Sequence, residues 1–129
     1  MEKRILVFLL ILGFAKSNAQ VDNFKVLSQV ANVVNGNCPM MVDEATRLDN
    51  AVALVGNIFQ YNYTLVKLTK KQVDVEQMRQ IIPEITNNIR TNPGFKEFRD
   101  LRVTFSYQYK DKAGNYVFGF YVTPQQYRK

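Results

Sequence analysis

Histidine and tryptophan are missing from the sequence, and cysteine occurs once. Without histidine, Ser-His-Asp and Cys-His catalysis are excluded, as is every zinc site that needs an imidazole. One cysteine, Cys38, excludes an internal disulfide. No internal repeat, low-complexity tract or interdomain linker interrupts the chain, and only one long apolar run occurs. What is present is ordinary for a folded chain: 47% hydrophobic and 22% charged residues, a balance that argues against disorder. The length of 129 residues suits a single domain.

The apolar run is Ile5–Ala15, preceded by Glu2-Lys3-Arg4. A bilayer-spanning helix needs ~20 such residues, so the run matches the core of a secretory signal peptide instead. Ser17-Asn18-Ala19 then places small residues at the −3 and −1 positions of a cleavage site before Gln20. The expected organisation is a signal peptide over 1–19 and a single domain over 20–129, located in the periplasm or secreted, with no membrane span after cleavage. Cys38 lies too far from the apolar run to be a lipidation site. Cleavage leaves 14 basic and 10 acidic side chains, lowering the net charge from +6 to +4. That mild excess suits a soluble surface.

The spacing of Phe24, Leu27, Val30, Ala31 and Val34 predicts a helix over 21–35, closed by Asn35-Gly36-Asn37. Residues 38–44 form a connection or short extended segment. Strands over 46–55 and 58–67 flank a Gly56-Asn57 turn and read as an antiparallel hairpin. In the second strand Phe59, Tyr61, Tyr63 and Leu65 share one face, with Gln60, Asn62 and Thr64 on the other. Asp74 is placed to cap a central helix whose face is Val75, Met78, Ile81, Ile82, Ile85 and Ile89. Pro83 either kinks that helix or opens a second one. Phe95 and Phe98 sit on a further short turn of helix. The clearest pattern is a closing hairpin, with Val103, Phe105, Tyr107 and Tyr109 facing Tyr116, Phe118, Phe120 and Val122 across the loop 110–115. The expected fold is α+β: a four-stranded antiparallel sheet of two hairpins, with the N-terminal and central helices packed on one face. Strand order is not fixed by the sequence.

No constellation of catalytic or metal-ligating residues emerges, and no cofactor is expected. Cys38 lacks a histidine or basic neighbour to lower its pKa; it reads as a small buried thiol or as one half of a disulfide between chains. Asp43, Glu44 and Asp49 are the densest acidic group, but their spacing is not that of a calcium loop, and adjacent residues on a strand point to opposite faces. Asp43 suits local turn chemistry, and Arg47 and Asp49 can pair on one strand face. All seven tyrosines follow residue 60. Rows of tyrosine can line a pocket or a contact face, although the same spacing suits a sheet core. The aromatic strand at 115–122 echoes the RNA-binding strand of RRM domains without its Lys/Arg-Gly start or βαββαβ context, so no nucleic acid is expected. Lys67, Lys70 and Lys71 form the only basic cluster along the chain and read as a solvated linker. Asn62-Tyr63-Thr64 fits a glycosylation sequon but lies mid-strand, and no sugar is expected.

The stretch Pro39-Met40-Met41-Val42-Asp43-Glu44-Ala45-Thr46-Arg47-Leu48-Asp49, followed by Tyr61-Asn62-Tyr63-Thr64-Leu65-Val66, resembles a pattern in small exported bacterial proteins of unknown function. Phe105–Asp111 with Gly114 and Asn115 is similar to their last hairpin. The resemblance implies no activity. It also implies further cysteines near the end of such relatives, where this chain has Ser106 and Gln126, leaving Cys38 without a partner. The leading expectation is an exported, non-enzymatic binding or protein-interaction module whose partner is another exported or envelope protein. Its candidate contact residues are Asp43, Thr46, Arg47, Asp49, Tyr61, Tyr63, Tyr107 and Tyr109. A carrier with a small ligand between helix and aromatic sheet face is the alternative. A hydrolase using Asp43, Glu44 or Asp49 ranks behind both.

Overall fold

A computed structural model describes residues 23–128. The expected signal peptide and its cleavage site lie outside the described residues. Helix α1 covers 23–35. Five strands follow: β1 (Met40–Met41), β2 (Thr46–Leu54), β3 (Ile58–Leu65), β4 (Thr104–Lys110) and β5 (Tyr116–Val122). Between β3 and β4 lie α2 (Val75–Met78), α3 (Ile81–Thr91) and α4 (Lys96–Asp100), and α5 (Pro124–Tyr127) closes the described chain.

The strands form one sheet in the order β1-β2-β3-β4-β5. Both predicted hairpins are present, β2 with β3 and β4 with β5. The four-stranded antiparallel sheet expected from the sequence is corrected in two ways. A two-residue strand, β1, pairs with β2 at the edge, and β3 and β4 run parallel, so the sheet has five strands and is mixed. The physical reason lies in the connection. A parallel neighbour needs a long crossover, commonly helical, and the helices of 66–103 supply it by crossing one face of the sheet before β4 enters.

In the β2–β3 turn, Gly56 and Asn57 both take positive φ, 98° and 62°. Asp74 caps α2 by accepting the Gln77 N–H at 3.2 Å. The predicted central helix is two helices. Pro83 falls in the first turn of α3, where a missing N–H leaves no helical bond unmade. Helix α5 went unpredicted, although Thr123-Pro124 with Gln126 carries a start signal: the Gln126 side chain accepts the Thr123 N–H at 2.8 Å.

Strand alternation divides the sheet. On one face Ala51, Ala53, Phe59, Leu65, Phe105, Tyr107, Tyr109, Phe118, Phe120 and Val122 are buried in a single core. Leu27 and Ala31 of α1, Ile89 of α3, Tyr127 of α5 and Val103, just before β4, join that core, and Phe95 and Phe98 are among the residues packed against it. The α1 end is docked by Asn35, whose side-chain amide donates to the Ala51 carbonyl at 2.9 Å while its oxygen accepts the Ala51 N–H at 2.7 Å. The other face carries Gln60, Asn62, Thr64, Ser106 and Gln108, the opposite side of the same strands.

Candidate functional site

The predicted contact residues divide between the two faces of the sheet. Tyr61, Tyr63, Tyr107 and Tyr109 lie on the helix-covered face, in aromatic rows that cross three strands. Tyr63, Tyr109 and Phe118 stack with centroids 4.9 and 5.0 Å apart; Tyr61, Tyr107 and Phe120 stack at 5.3 and 4.9 Å. The parallel register sets these rows, pairing Tyr61 with Tyr107 and Tyr63 with Tyr109. Tyr107 and Tyr109 are buried, and Tyr61 and Tyr63 half-buried. Burial pushes the Tyr63 phenol up to about 12 and holds those of Tyr61, Tyr107 and Tyr109 higher still. All four are neutral hydroxyls at physiological pH.

Arg47 and Asp49 lie on the opposite face. Arg47 Nε donates to Asp49 Oδ1 at 2.6 Å, and Thr64 Oγ1 donates to Asp49 Oδ2 at 2.5 Å. Lys110 Nζ adds a more distant charge at 3.8 Å. A register shift in the β2–β3 pairing falls between Leu48 and Asn50, at Asp49 itself. An extra residue of this kind re-aims side chains. Burial works to raise the Asp49 carboxyl, but the Thr64 and Arg47 hydrogen bonds outweigh it and hold the group below the usual carboxylate range. Beside this cluster runs a relay of neutral groups across three strands. Gln108 donates to Ser106, Ser106 to Gln60, Gln60 to Asn62, and Asn62 to Asn50, at 2.8–3.0 Å each. A shallow depression of about 390 Å³ is lined by Asn50, Asn62, Gln108, Lys110 and Tyr116 among others. No sequence pattern announced the relay. Its members come from three strands whose order the sequence leaves open.

Asp43 and Thr46 belong to the β1–β2 connection. Asp43 Oδ1 accepts the Ala45 N–H at 2.8 Å, the local turn chemistry expected of it, and the Thr46 carbonyl accepts the N–H groups of Val42 and Asp43. This connection adjoins the Met40-Met41-Val42 segment. Its side chains are 42%, 50% and 50% exposed, on an edge strand whose Met41 is paired with Arg47. Cys38, just before it, is a free thiol of intermediate burial. Among the described residues no group of three or more His, Cys, Asp or Glu side chains gathers to hold a metal ion.

Lys67, Lys70 and Lys71 are not the only basic cluster. The fold gathers Arg90, Arg99, Arg102 and Arg128 around one depression at the α3–α4–α5 end of the molecule. Sequence spacing conceals it, because the four residues span 39 positions.

Two carboxylates give the fold an acid limit. Asp111 is almost fully buried and accepts the N–H groups of Lys70, Ala113 and Asn115 at 2.8–2.9 Å. Burial raises its carboxyl, but these bonds more than compensate and leave it depressed, as at Asp49. A depressed carboxylate contributes stability that is complete above its unfolded value, about 3.9, and lost as pH falls through its lower folded value. The urea midpoint should therefore be flat near neutrality and fall steeply below about pH 4. Asp49→Asn should cost about 1–2 kcal/mol at pH 7 and make the acid fall shallower. An acid slope unchanged by the substitution would remove Asp49 from this account.

The fold and this open-faced sheet define a small α+β protein. The chain belongs to the family described as "Domain of unknown function (DUF8479)", which matches residues 23–118. No curated protein matches the sequence. Three solved structures share the fold. A protein of Pseudomonas aeruginosa, provisionally described as secreted, is 13% identical with a TM-score of 0.72, over 85% of this chain and 96% of that one. The pilotin of the Vibrio vulnificus type 2 secretion system is 9% identical with a TM-score of 0.70, over 88% and 98%. The type II secretion system pilotin of Vibrio cholerae is 13% identical with a TM-score of 0.65, over 87% and 98%. Among the described residues no helix is long and apolar enough to cross a membrane.

Proposed function

We propose that this chain is an exported, non-enzymatic protein-interaction module that docks another exported or envelope protein along the β1 edge of its sheet. The single observation that carries the reading is the Met40-Met41-Val42 edge. Three consecutive apolar side chains, each 42–50% exposed, lie beside the outer backbone of an edge strand. Such an edge is a template for strand addition, and methionine is an adaptable contact side chain. Arg47, opposite Met41 in the register, is 40% exposed at its side chain and places a charge at the margin. Asp43 and Thr46 shape the turn that holds the edge, and Asp49 orients Arg47. In this reading Tyr61, Tyr63, Tyr107 and Tyr109 act from behind, as the stacked platform under the edge. The leader-like residues 1–19 support export with cleavage after Ala19, leaving 20–129 as one domain. The likeness to two secretion-system pilotins favours a protein partner over a small ligand.

A photo-crosslinking side chain placed at Met41 in the intact protein should give one discrete protein adduct in the native envelope. The same group at Val55, 86% exposed on the β2–β3 turn, should give none. Adducts of equal yield and pattern from both positions, or none from Met41, would refute the docking edge.

A further inference from the structure

We propose that the arginine cluster at the α3–α4–α5 end is an anion site that takes a phosphate group, carried either by a lipid headgroup or by a free phosphate compound. The depression is about 490 Å³ and is lined by Arg90, Arg99, Asp100, Arg102, Tyr127 and Arg128. A second depression, of about 460 Å³, shares Arg102 and Arg128, so these two side chains stand between two open spaces.

The four arginines divide into two pairs with different duties. Arg90 and Arg99 are fixed by the backbone. Arg90 Nε and Nη2 donate to the carbonyls of Tyr127 and Gln126 at 3.2 and 3.3 Å. Arg99 Nη1 donates to the carbonyls of Ile89 and Asn92 at 2.8 and 2.7 Å. These bonds occupy part of each guanidinium and leave further N–H groups to donate. They also hold the two forks in place, which lowers the ordering cost of capturing a ligand. Helix capping accounts for this pair and for nothing more. Arg102 and Arg128 make no side-chain hydrogen bond or ion pair to the described residues, so none of their side-chain N–H groups is taken up by those residues. Arg102 is nevertheless held in place: its backbone sits at φ 56°, and its carbonyl is gripped by the Asn57 side-chain amide at 3.0 Å.

The local charge is unbalanced. Asp100 is the one carboxylate lining the depression, and Lys96 Nζ already holds it at 2.8 Å. The Lys96 hydrogen bond, with the charges of Arg99 and Arg128 behind it, lowers the Asp100 carboxyl. One shared carboxylate thus faces four arginines around the depression, a surplus of positive charge that a bound anion would relieve. Their field also reaches inward. Arg128, Arg99 and Arg102 all act to lower the Tyr127 phenol against the upward push of burial. A phosphate fits better than a carboxylate because its oxygens can accept from several planar forks at once, the geometry for which arginine is suited.

Binding should be measured on the purified full chain at about 150 mM salt, where loose surface attraction is screened. One arm uses calorimetric titration with inorganic phosphate, and the other uses flotation with phosphatidylglycerol or phosphatidylcholine vesicles. The paired variant R102Q/R128Q should weaken binding at least tenfold. K70Q/K71Q, which removes the same charge elsewhere, should leave it within twofold, and both variants should melt within a few degrees of the parent. Binding to phosphate and to phosphatidylglycerol, both lost in R102Q/R128Q, supports the shared chemistry. Loss seen with only phosphatidylglycerol vesicles assigns the headgroup as the source, and loss seen with only phosphate assigns a free compound. No binding in either arm, equal binding to phosphatidylcholine, or equal weakening by both variants would overturn the site. The outcome is independent of the β1 docking edge.

Discussion

Replacing Tyr127 with alanine should cost about 3–5 kcal/mol, the range for emptying a fully buried aromatic position. Tyr127 is two residues from the end of the sequence, yet it is 0% exposed. Its ring meets Phe105 edge-on at 6.0 Å, and its hydroxyl donates to the Val103 carbonyl at 2.7 Å. The four-residue helix α5 is too short to be stable alone; it is held because this ring fills the core between α3 and β4. Tyr127→Phe keeps the ring and loses the hydroxyl, leaving the Val103 carbonyl without that partner, and should cost about 1–2 kcal/mol. Urea unfolding followed by circular dichroism separates the two. A loss under about 1 kcal/mol for Tyr127→Ala would mean that α5 lies outside the cooperative unit.

Asn57→Ala should cost about 2 kcal/mol, a large effect for a turn residue. Two contributions add. The side-chain amide donates to the carbonyls of Leu101 and Arg102 at 2.9 and 3.0 Å, a clamp between the β2–β3 turn and the entry to β4. Those bonds are worth on the order of 1 kcal/mol each. The residue also sits at φ 62°, where asparagine is at home and alanine is strained by about 1 kcal/mol. One effect opposes them: Asn57 Oδ1 is buried without a hydrogen-bond partner, and its removal relieves that cost. Asn57→Gly loses the clamp but keeps the conformation, so its cost should fall between wild type and Asn57→Ala. Equal losses for alanine and glycine would show that the backbone conformation contributes nothing. Because the clamp also sets the Arg102 backbone, Asn57→Gly should weaken phosphate capture at the arginine cluster while the domain remains folded.

The two positions share a feature that bears on how such a chain is read. Asn57 looked like half of a turn signal, and Tyr127 like the last of seven tyrosines. Their main partners, Leu101 and Arg102 for one and Val103 and Phe105 for the other, are distant in sequence. The relay from Gln108 to Asn50 and the arginine cluster share this origin. Arg47 with Asp49 was legible because both stand on one strand face, two residues apart, where alternation makes them neighbours. The tyrosine rows were legible as faces of single strands for the same reason. That the rows and the Arg47–Asp49 pair occupy opposite sides of one sheet follows from the same alternation once β2 is set beside β3.

Local physics therefore determined much of this protein from sequence. It set the α1 stripe of Leu27, Val30, Ala31 and Val34, though Phe24 at its start stays exposed, the two hairpins, the Asp74 cap, the Gly56-Asn57 turn and the apolar sides of β3, β4 and β5. Each rests on contacts within a few residues or on a period of two or 3.6. In β2 the register shift at Asp49 puts Ala51 and Ala53, rather than Val52 and Leu54, on the core side with Leu48. Tertiary structure decided that β3 and β4 lie parallel, that Met40 and Met41 form an edge, that α5 plugs the core, and that four arginines meet. Pairing across long connections is chosen by which packing buries the helices' apolar stripes against the aromatic face. That choice is made by the whole core at once, so no single stretch of sequence contains it.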